Sequence, residues 1–226
     1  MKAAVLSAFD QSAHVSDVAA PVPGPGEVRV KVAAASINGF DLAVANGYLN
    51  GAMEHRFPVV LGKDFAGVVD AVGDGVTELA QGDRVFGVVS KSFLGDGSFG
   101  EFVTVPVSVG IARVPDGVEL VEAAALGLAG TAAFDAVNAA QISQGASVLV
   151  IGATGGVGLQ AVQLAAAAGA TVLATASSPG EVDQVRALGA DRIIDHAGDV
   201  AAQVREIYPD GVDVVLHFAG DAQAVA

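Results

Sequence analysis

The chain has no cysteine and no tryptophan, and only 11 of its 226 residues are Lys or Arg, against 25 Asp or Glu. Without thiols it can form no disulfide, iron–sulfur centre or thiolate zinc site. A formal net charge of −14 leaves no basic surface to release counterions from phosphates, which argues against a nucleic-acid or anionic-membrane partner. The segment Met1 to Ser7 lacks the apolar core of a secretion signal, and Asp10 and His14 follow soon after. A run of 45 residues from Ala136 to Gly180 carries no Asp, Glu, Lys, Arg or His. Gln144-Gly145, the glycines between 152 and 158, Gln160 and Gln163 cut it too often for a membrane span. These absences predict a soluble, cytoplasmic protein. The apolar share of 52% and the lack of charge blocks predict that it is folded.

The first half reads as β-structure. Val28, Val30 and Val32 alternate with Glu27, Arg29 and Lys31 in the period of a half-buried strand. Strand-like runs at Gly67 to Val72, Arg84 to Val89 and Phe102 to Val105 are separated by turn signals at Asp74-Gly75, Gly82-Asp83, Gly95-Asp96-Gly97 and Asp116-Gly117. That spacing predicts a barrel-like module over residues 1–120. Past Pro115 the pattern changes to short, wholly apolar runs alternating with helical segments, as expected of parallel strands buried on both faces. Val148 to Ile151, Thr171 to Thr175, Ile193-Ile194 and Asp213 to Leu216 are the strands, and Leu159 to Ala165, Glu181 to Leu188 and the segment carrying Val200, Val204 and Ile207 are the helices. The fold class is therefore α/β, with a parallel sheet over residues 121–226.

Directly after the first of those strands stands Gly152-Ala153-Thr154-Gly155-Gly156-Val157-Gly158, leading into a helix. Glycines in such a turn permit a sharp bend, close approach of a pyrophosphate, and contact between helix and strand. The helix N-terminus adds free N–H groups and partial positive charge. Ala153, Gly155 and Gly158 occupy the three glycine positions of the dinucleotide fingerprint, and the strand before and helix after make the match specific. At the end of the next strand, where an acid would hold the ribose 2′-hydroxyl of NADH, the chain has Thr175-Ala176-Ser177-Ser178. No carboxylate follows directly and two hydroxyls are available, which favours NADPH over NADH. Glu181 pulls the other way, and both serines also suit helix capping before Pro179.

Further motifs accompany this turn: Pro23-Gly24-Pro25-Gly26-Glu27-Val28, Asn38-Gly39-Phe40-Asp41, Asn46-Gly47-Tyr48, Phe57 to Val69 with Gly62-Lys63-Asp64 inside it, and Gly82-Asp83-Arg84-Val85. In this order they resemble the medium-chain dehydrogenase/reductase family, in its zinc-independent, quinone oxidoreductase-like branch. The resemblance implies an N-terminal GroES-like β-barrel followed by a doubly wound (Rossmann) sheet. The family's full strand order is 3-2-1-4-5-6. Strands 3, 2, 1 and 4 are recognisable here, so the sheet is expected to be C-terminally incomplete. The zinc-dependent relatives carry Gly-His-Glu where this chain has Gly62-Lys63-Asp64, so no metal is expected.

Metal-free hydride delivery suits an acceptor that is already electrophilic, a quinone or an α,β-unsaturated carbonyl. The resemblance implies that Asn38 and Tyr48 line the substrate cleft and that Thr131 touches the cofactor. Tyr48 would donate to the developing enolate; the competing reading is a buried tyrosine bonded to a backbone carbonyl. Lys63 would put positive charge beside the substrate oxygen; the competing reading is a salt bridge with Asp41 or Asp64. His196 would lie near the adenine or 2′-phosphate, or simply on the surface. Phe218 and Ala219 follow His217 in the segment at the last strand's end, His217-Phe218-Ala219-Gly220, where relatives usually have Asp. The cofactor set is thus Thr131, Ala153 to Gly158, Ser177, Ser178, His196, Phe218 and Ala219. The expected activity is an NADPH-dependent quinone or enone reductase, a homodimer when complete. The alternatives are an enoyl-thioester reductase and a non-catalytic NADPH-binding redox sensor.

Overall fold

The computed structural model describes residues 1–219, and its contacts divide the chain into two units, one from Met1 to Leu128 and one beginning at Ala129. The first contains β1 (Lys2–Leu6), β2 (His14–Asp17), β3 (Glu27–Ala34), α1 (Gly39–Ala45), β4 (Glu54–His55), β5 (Val59–Val60), β6 (Asp64–Val72), β7 (Arg84–Val88), β8 (Phe93–Leu94), β9 (Phe102–Pro106), β10 (Ile111–Arg113) and α2 (Leu120–Ala123). Its main sheet is antiparallel, in the order β10-β7-β6-β3-β9, beside a smaller sheet β2-β1-β5.

The alternation read in β3 has its expected result. Val28 and Val30 are fully buried, in a cluster with Phe65, Val69, Val85, Val103 and Val105. Each such side chain contributes about 1.5–3 kcal/mol relative to leaving it in water. Arg29, on the other face, bonds through Nε to Asp70 Oδ2 at 2.7 Å. The division into units falls after Leu128 rather than after residue 120, because α2 packs on the first unit: Ala123 and Ala124 are buried with Ala66 and Val114.

The second unit follows from helix α3 (Leu128–Ala139), whose first residue still belongs to the first unit. It continues with β11 (Ser147–Ile151), α4 (Gly156–Ala167), β12 (Thr171–Thr175), α5 (Pro179–Ala187), β13 (Arg192–Ile194), α6 (Val200–Ile207) and β14 (Val214–His217). The four strands are parallel in the order β13-β12-β11-β14, which is 3-2-1-4. All of β11 is buried because it has helices on both faces. Val148 and Val150 pack with Ala133, Val137, Ala161, Val162 and Ala165, while Leu149 and Ile151 pack with Leu173, Ile194 and Val204. The long uncharged run is thus the interior of a strand–helix–strand unit. No helix among the described residues is long and apolar enough to cross a membrane.

One charged group is built deep into the first unit. Lys91, with 11% of its side chain exposed, reaches Asp96 at 2.6 Å, Glu27 at 3.1 Å and the Thr104 hydroxyl at 2.8 Å. Lys91→Met leaves two part-buried carboxylates without their cation, and is expected to lower unfolding free energy by about 2 kcal/mol, since both partners keep some access to water. Urea denaturation with an unchanged m-value checks it.

Candidate active site

The glycine-rich turn sits at the C-terminal end of β11, the edge at which open α/β sheets place their ligands. Gly152 has φ +75, a region L side chains rarely adopt, so the sharp bend is made by Gly152 and not at Ala153, where the fingerprint puts it. Ala153 is wholly buried in the core, and only its main chain remains for a ligand. The third glycine acts as expected: a Cβ on Gly158 would lie 2.0 Å from the Gly152 carbonyl oxygen. Only hydrogen lets α4 start that close to the strand. A Cβ on Gly155 would meet nothing nearer than that same oxygen at 3.4 Å, so this position is open toward a ligand.

Helix α4 is capped by Gly155, and its first internal bond runs from Leu159 N to Gly155 O at 2.9 Å. The N–H groups of Gly156, Val157 and Gly158 precede that bond and have no partner within the helix. They fit a pyrophosphate, which needs several converging donors in a concave main-chain cradle. Thr175 is the strut of the cradle. Buried at the end of β12, its Oγ1 accepts from Gly152 N at 3.0 Å and donates to Val150 O at 3.4 Å. Reading the sequence for cofactor choice passed over Thr175, and the only signal was a hydroxyl at the end of an otherwise apolar strand. Thr154, His196 and Ala219 join Gly152, Thr175 and Val200 in lining one cleft. Phe218 N donates to Ile151 O at 2.9 Å, carrying the sheet's bonding past β14. Thr131 is exposed in the first turn of α3.

The reading of an acid-free strand end is corrected by the fold. Ser177 Oγ donates to Asp195 Oδ1 at 2.6 Å, and Glu181 Oε2 accepts from Ser177 N and Ser178 N at 3.0 and 2.9 Å. Ser178 is the N-cap of α5, its hydroxyl accepting from Glu181 N. Capping therefore describes Ser178, while Ser177 is held by a carboxylate that lies 18 residues further along the chain.

In the first unit, Asn38 caps α1, and its N–H donates to Asp41 Oδ2 at 2.7 Å. Its amide Nδ2 donates to Asp64 Oδ2 at 3.0 Å. Asp64 is fully buried, and also accepts from the Ser36 hydroxyl and from Leu128 N at 2.7 Å. It thereby fixes both the Asn38 side chain and the start of α3, a role the sequence did not reveal. Lys63 forms no salt bridge with Asp41 or Asp64. Its Nζ donates to Val89 O at 2.7 Å and lies 4.9 Å from the centre of the Phe40 ring. Burial lowers its pKa, against the pull of Asp41 and Asp64. Burial likewise raises the carboxyl of Asp41, with the Asn38 N–H bond opposing and the charge of Asp64 adding to the rise. Tyr48 is 78% exposed, so the buried-tyrosine reading fails. Among the described residues, no group of three or more His, Cys, Asp or Glu is placed to hold a metal ion.

Comparison with known proteins matches both halves of this arrangement. Residues 24–116 match the alcohol dehydrogenase GroES-like domain, and residues 156–226 match the family described as zinc-binding dehydrogenase. A solved structure described as an NAD-dependent alcohol dehydrogenase superposes with TM-score 0.86 at 32% identity, over 95% of this chain and 70% of that one. The chain belongs to the medium-chain dehydrogenase/reductase family. Within it, a mycobacterial protein solved in complex with NADPH is 30% identical, with TM-score 0.81, over 95% of this chain and 66% of that one. A chloroplast envelope quinone oxidoreductase homolog of Arabidopsis thaliana is 36% identical over 92% of this chain and 64% of its own length. A mycocerosic acid synthase-like polyketide synthase of Mycobacterium tuberculosis is 40% identical over 90% of this chain, which spans only 9% of that protein.

Gly158 and Gly155, one closed and one open, separate fold from binding. Gly158→Ala forces α4 away from the Gly152 carbonyl, and is expected to lower stability by about 2 kcal/mol, as overpacking does. Gly155→Ala has room and is expected to keep the melting temperature within about 2 °C while weakening dinucleotide binding about tenfold or more, because the added methyl meets the ligand. Thermal unfolding and nucleotide titration on both variants check the contrast.

Proposed function

We propose that the protein transfers hydride from NADPH to a quinone or an α,β-unsaturated carbonyl without a metal ion. The observation that carries this reading is the cradle at the end of β11, where Gly152 turns the chain, Gly155 stays open and the first N–H groups of α4 have no helical partner. A solved relative complexed with NADPH supports the choice of dinucleotide, and the Arabidopsis quinone oxidoreductase homolog supports the acceptor class. Lys63, in the position where zinc-dependent relatives have a histidine, supports the metal-free mechanism.

When bound at the cradle, NADPH would supply two electrons as hydride, and negative charge would develop on the acceptor's oxygen. The protein's own task is to orient the acceptor and stabilise that oxygen. In this proposal Tyr48 donates its phenol hydrogen bond and then its proton to the oxygen, which its exposure permits. Asn38 is held rigidly by Asp64 and forms the wall of the acceptor site. Lys63 keeps two N–H groups beyond the one given to Val89 O, and supplies nearby positive charge. The complete protein is proposed to act as a cytoplasmic homodimer.

A second reading, reduction of enoyl thioesters, is favoured by the 40% identity to a polyketide synthase. Loss of NADPH absorbance with a panel of small quinones, free enones and enoyl thioesters distinguishes the two. The leading reading predicts turnover of free quinones or enones; turnover of thioesters alone favours the second reading. Dinucleotide binding without oxidation by any acceptor makes the protein a sensor. Tyr48→Phe is expected to lower kcat on enones about 100-fold while leaving NADPH affinity unchanged.

A further inference from the structure

We propose that Asp195, whose carboxylate holds the hydroxyl of Ser177, sets the discrimination between NADPH and NADH by its charge, restraining the preference for the 2′-phosphorylated nucleotide. The inference rests on the nucleotide reading of the adjacent glycine turn and goes beyond it to a residue outside the fingerprint. The end of β12 offers a ligand three obvious donors, namely the N–H groups of Ser177 and Ser178 and the Ser177 hydroxyl. All three are already taken by carboxylate oxygens: Glu181 Oε2 holds both N–H groups, and Asp195 Oδ1 holds the hydroxyl at 2.6 Å.

Asp195 is not a wandering surface side chain. Its Oδ1 also accepts from Ala197 N at 3.0 Å, its N–H donates to Gln203 Oε1 at 2.9 Å, and Gln203 Nε2 returns a bond to its carbonyl at 2.9 Å. The Ser177 hydroxyl first, and then the Ala197 N–H, hold its carboxyl below the usual range, and backbone bonds from Ser178 and Ser177 do the same for Glu181. Both are therefore charged at neutral pH. The side chain of His196 is near enough to act electrostatically on both.

With its proton committed to Asp195, Ser177 Oγ presents lone pairs. A ribose 2′-hydroxyl is a donor and satisfies either that oxygen or Asp195 itself. A 2′-phosphate accepts only, carries nearly two negative charges, and meets two carboxylates while both donors of Ser177 and the N–H of Ser178 are already committed. Asp195→Asn removes one charge and keeps a side chain of the same shape that can bond Ser177. The variant is then free to let the serine hydroxyl turn toward a phosphate.

The test is calorimetric titration of the chain and its D195N, S177A and Q203A variants with 2′,5′-ADP and 5′-AMP, which differ only in the 2′-phosphate, followed by NADPH and NADH. Expected is an increase of about tenfold in the D195N affinity ratio for 2′,5′-ADP over 5′-AMP, a smaller change in the same direction for Q203A, and none for S177A, which keeps the charge and loses the donor. A D195N ratio within twofold of the unsubstituted chain, or moved toward 5′-AMP, overturns the proposal while leaving the nucleotide reading intact. Failure of the unsubstituted chain to bind any of the four nucleotides overturns both. A melting temperature for D195N matching the unsubstituted chain shows that the ratio reports the site, and Q203A carries the test if D195N does not fold.

Discussion

The approach of Gly158 to the Gly152 carbonyl is the constraint on which the second unit depends. Strand β11 is buried on both faces, so its main chain is fixed by neighbours on either side and by helices above and below. Helix α4 has to begin almost where the strand stops, and the only way to do so is to remove the side chain at the contact. Once the helix begins there, its first N–H groups are placed by the strand and not by a mobile loop. The ends of β12, β13 and β14 then lie along the same edge, and Ser177, Ser178, His196, Phe218 and Ala219 come from the segments that follow them. Thr175 completes the constraint by bonding the turn from the neighbouring strand.

The first unit is organised around a carboxylate. Asp64 is fully buried, and a buried polar group persists only where partners surround it. The fold meets that demand with the Ser36 hydroxyl, the Asn38 amide and the first N–H of α3. The requirement runs both ways: the carboxyl holds two segments in place, the 36–38 loop and the start of α3, because both give it donors. Lys63, beside it in sequence, has no such shell and turns to one carbonyl and one ring face. Two acids and an amine therefore sit close together without pairing directly, which leaves the amine available to a ligand oxygen.

Much of this was legible in the sequence because it is local. The alternation in β3, the continuous apolar run of β11 and the Ser-Pro start of α5 each rest on residues within one element and its caps. What was not legible depends on contacts across long stretches of chain. Ser177 and Asp195 are 18 residues apart, Asp64 and Leu128 are 64 apart, and Lys91 reaches back to Glu27. Periodicity carries no information about such pairs. The place of the bend was not legible for a subtler reason. The fingerprint counts positions from the strand end, whereas the positive φ falls one residue earlier, at Gly152, and leaves Ala153 to fill the core.

Electrostatics bring the two ends of the nucleotide site into one account. A chain with net charge −14 repels a dinucleotide at long range, so attraction has to be local and main-chain in origin. The N-terminus of α4 provides it, since N–H groups donate without adding a cation. At the adenosine end the balance reverses: the donors at the end of β12 are bonded to Glu181 and Asp195, and the field there is negative. The pyrophosphate is therefore favoured where the protein offers free donors, and any additional phosphate is resisted where it offers carboxylates. Screening by salt weakens the second effect more than the first, because the carboxylates are exposed to solvent while the cradle is formed by main chain packed against the sheet.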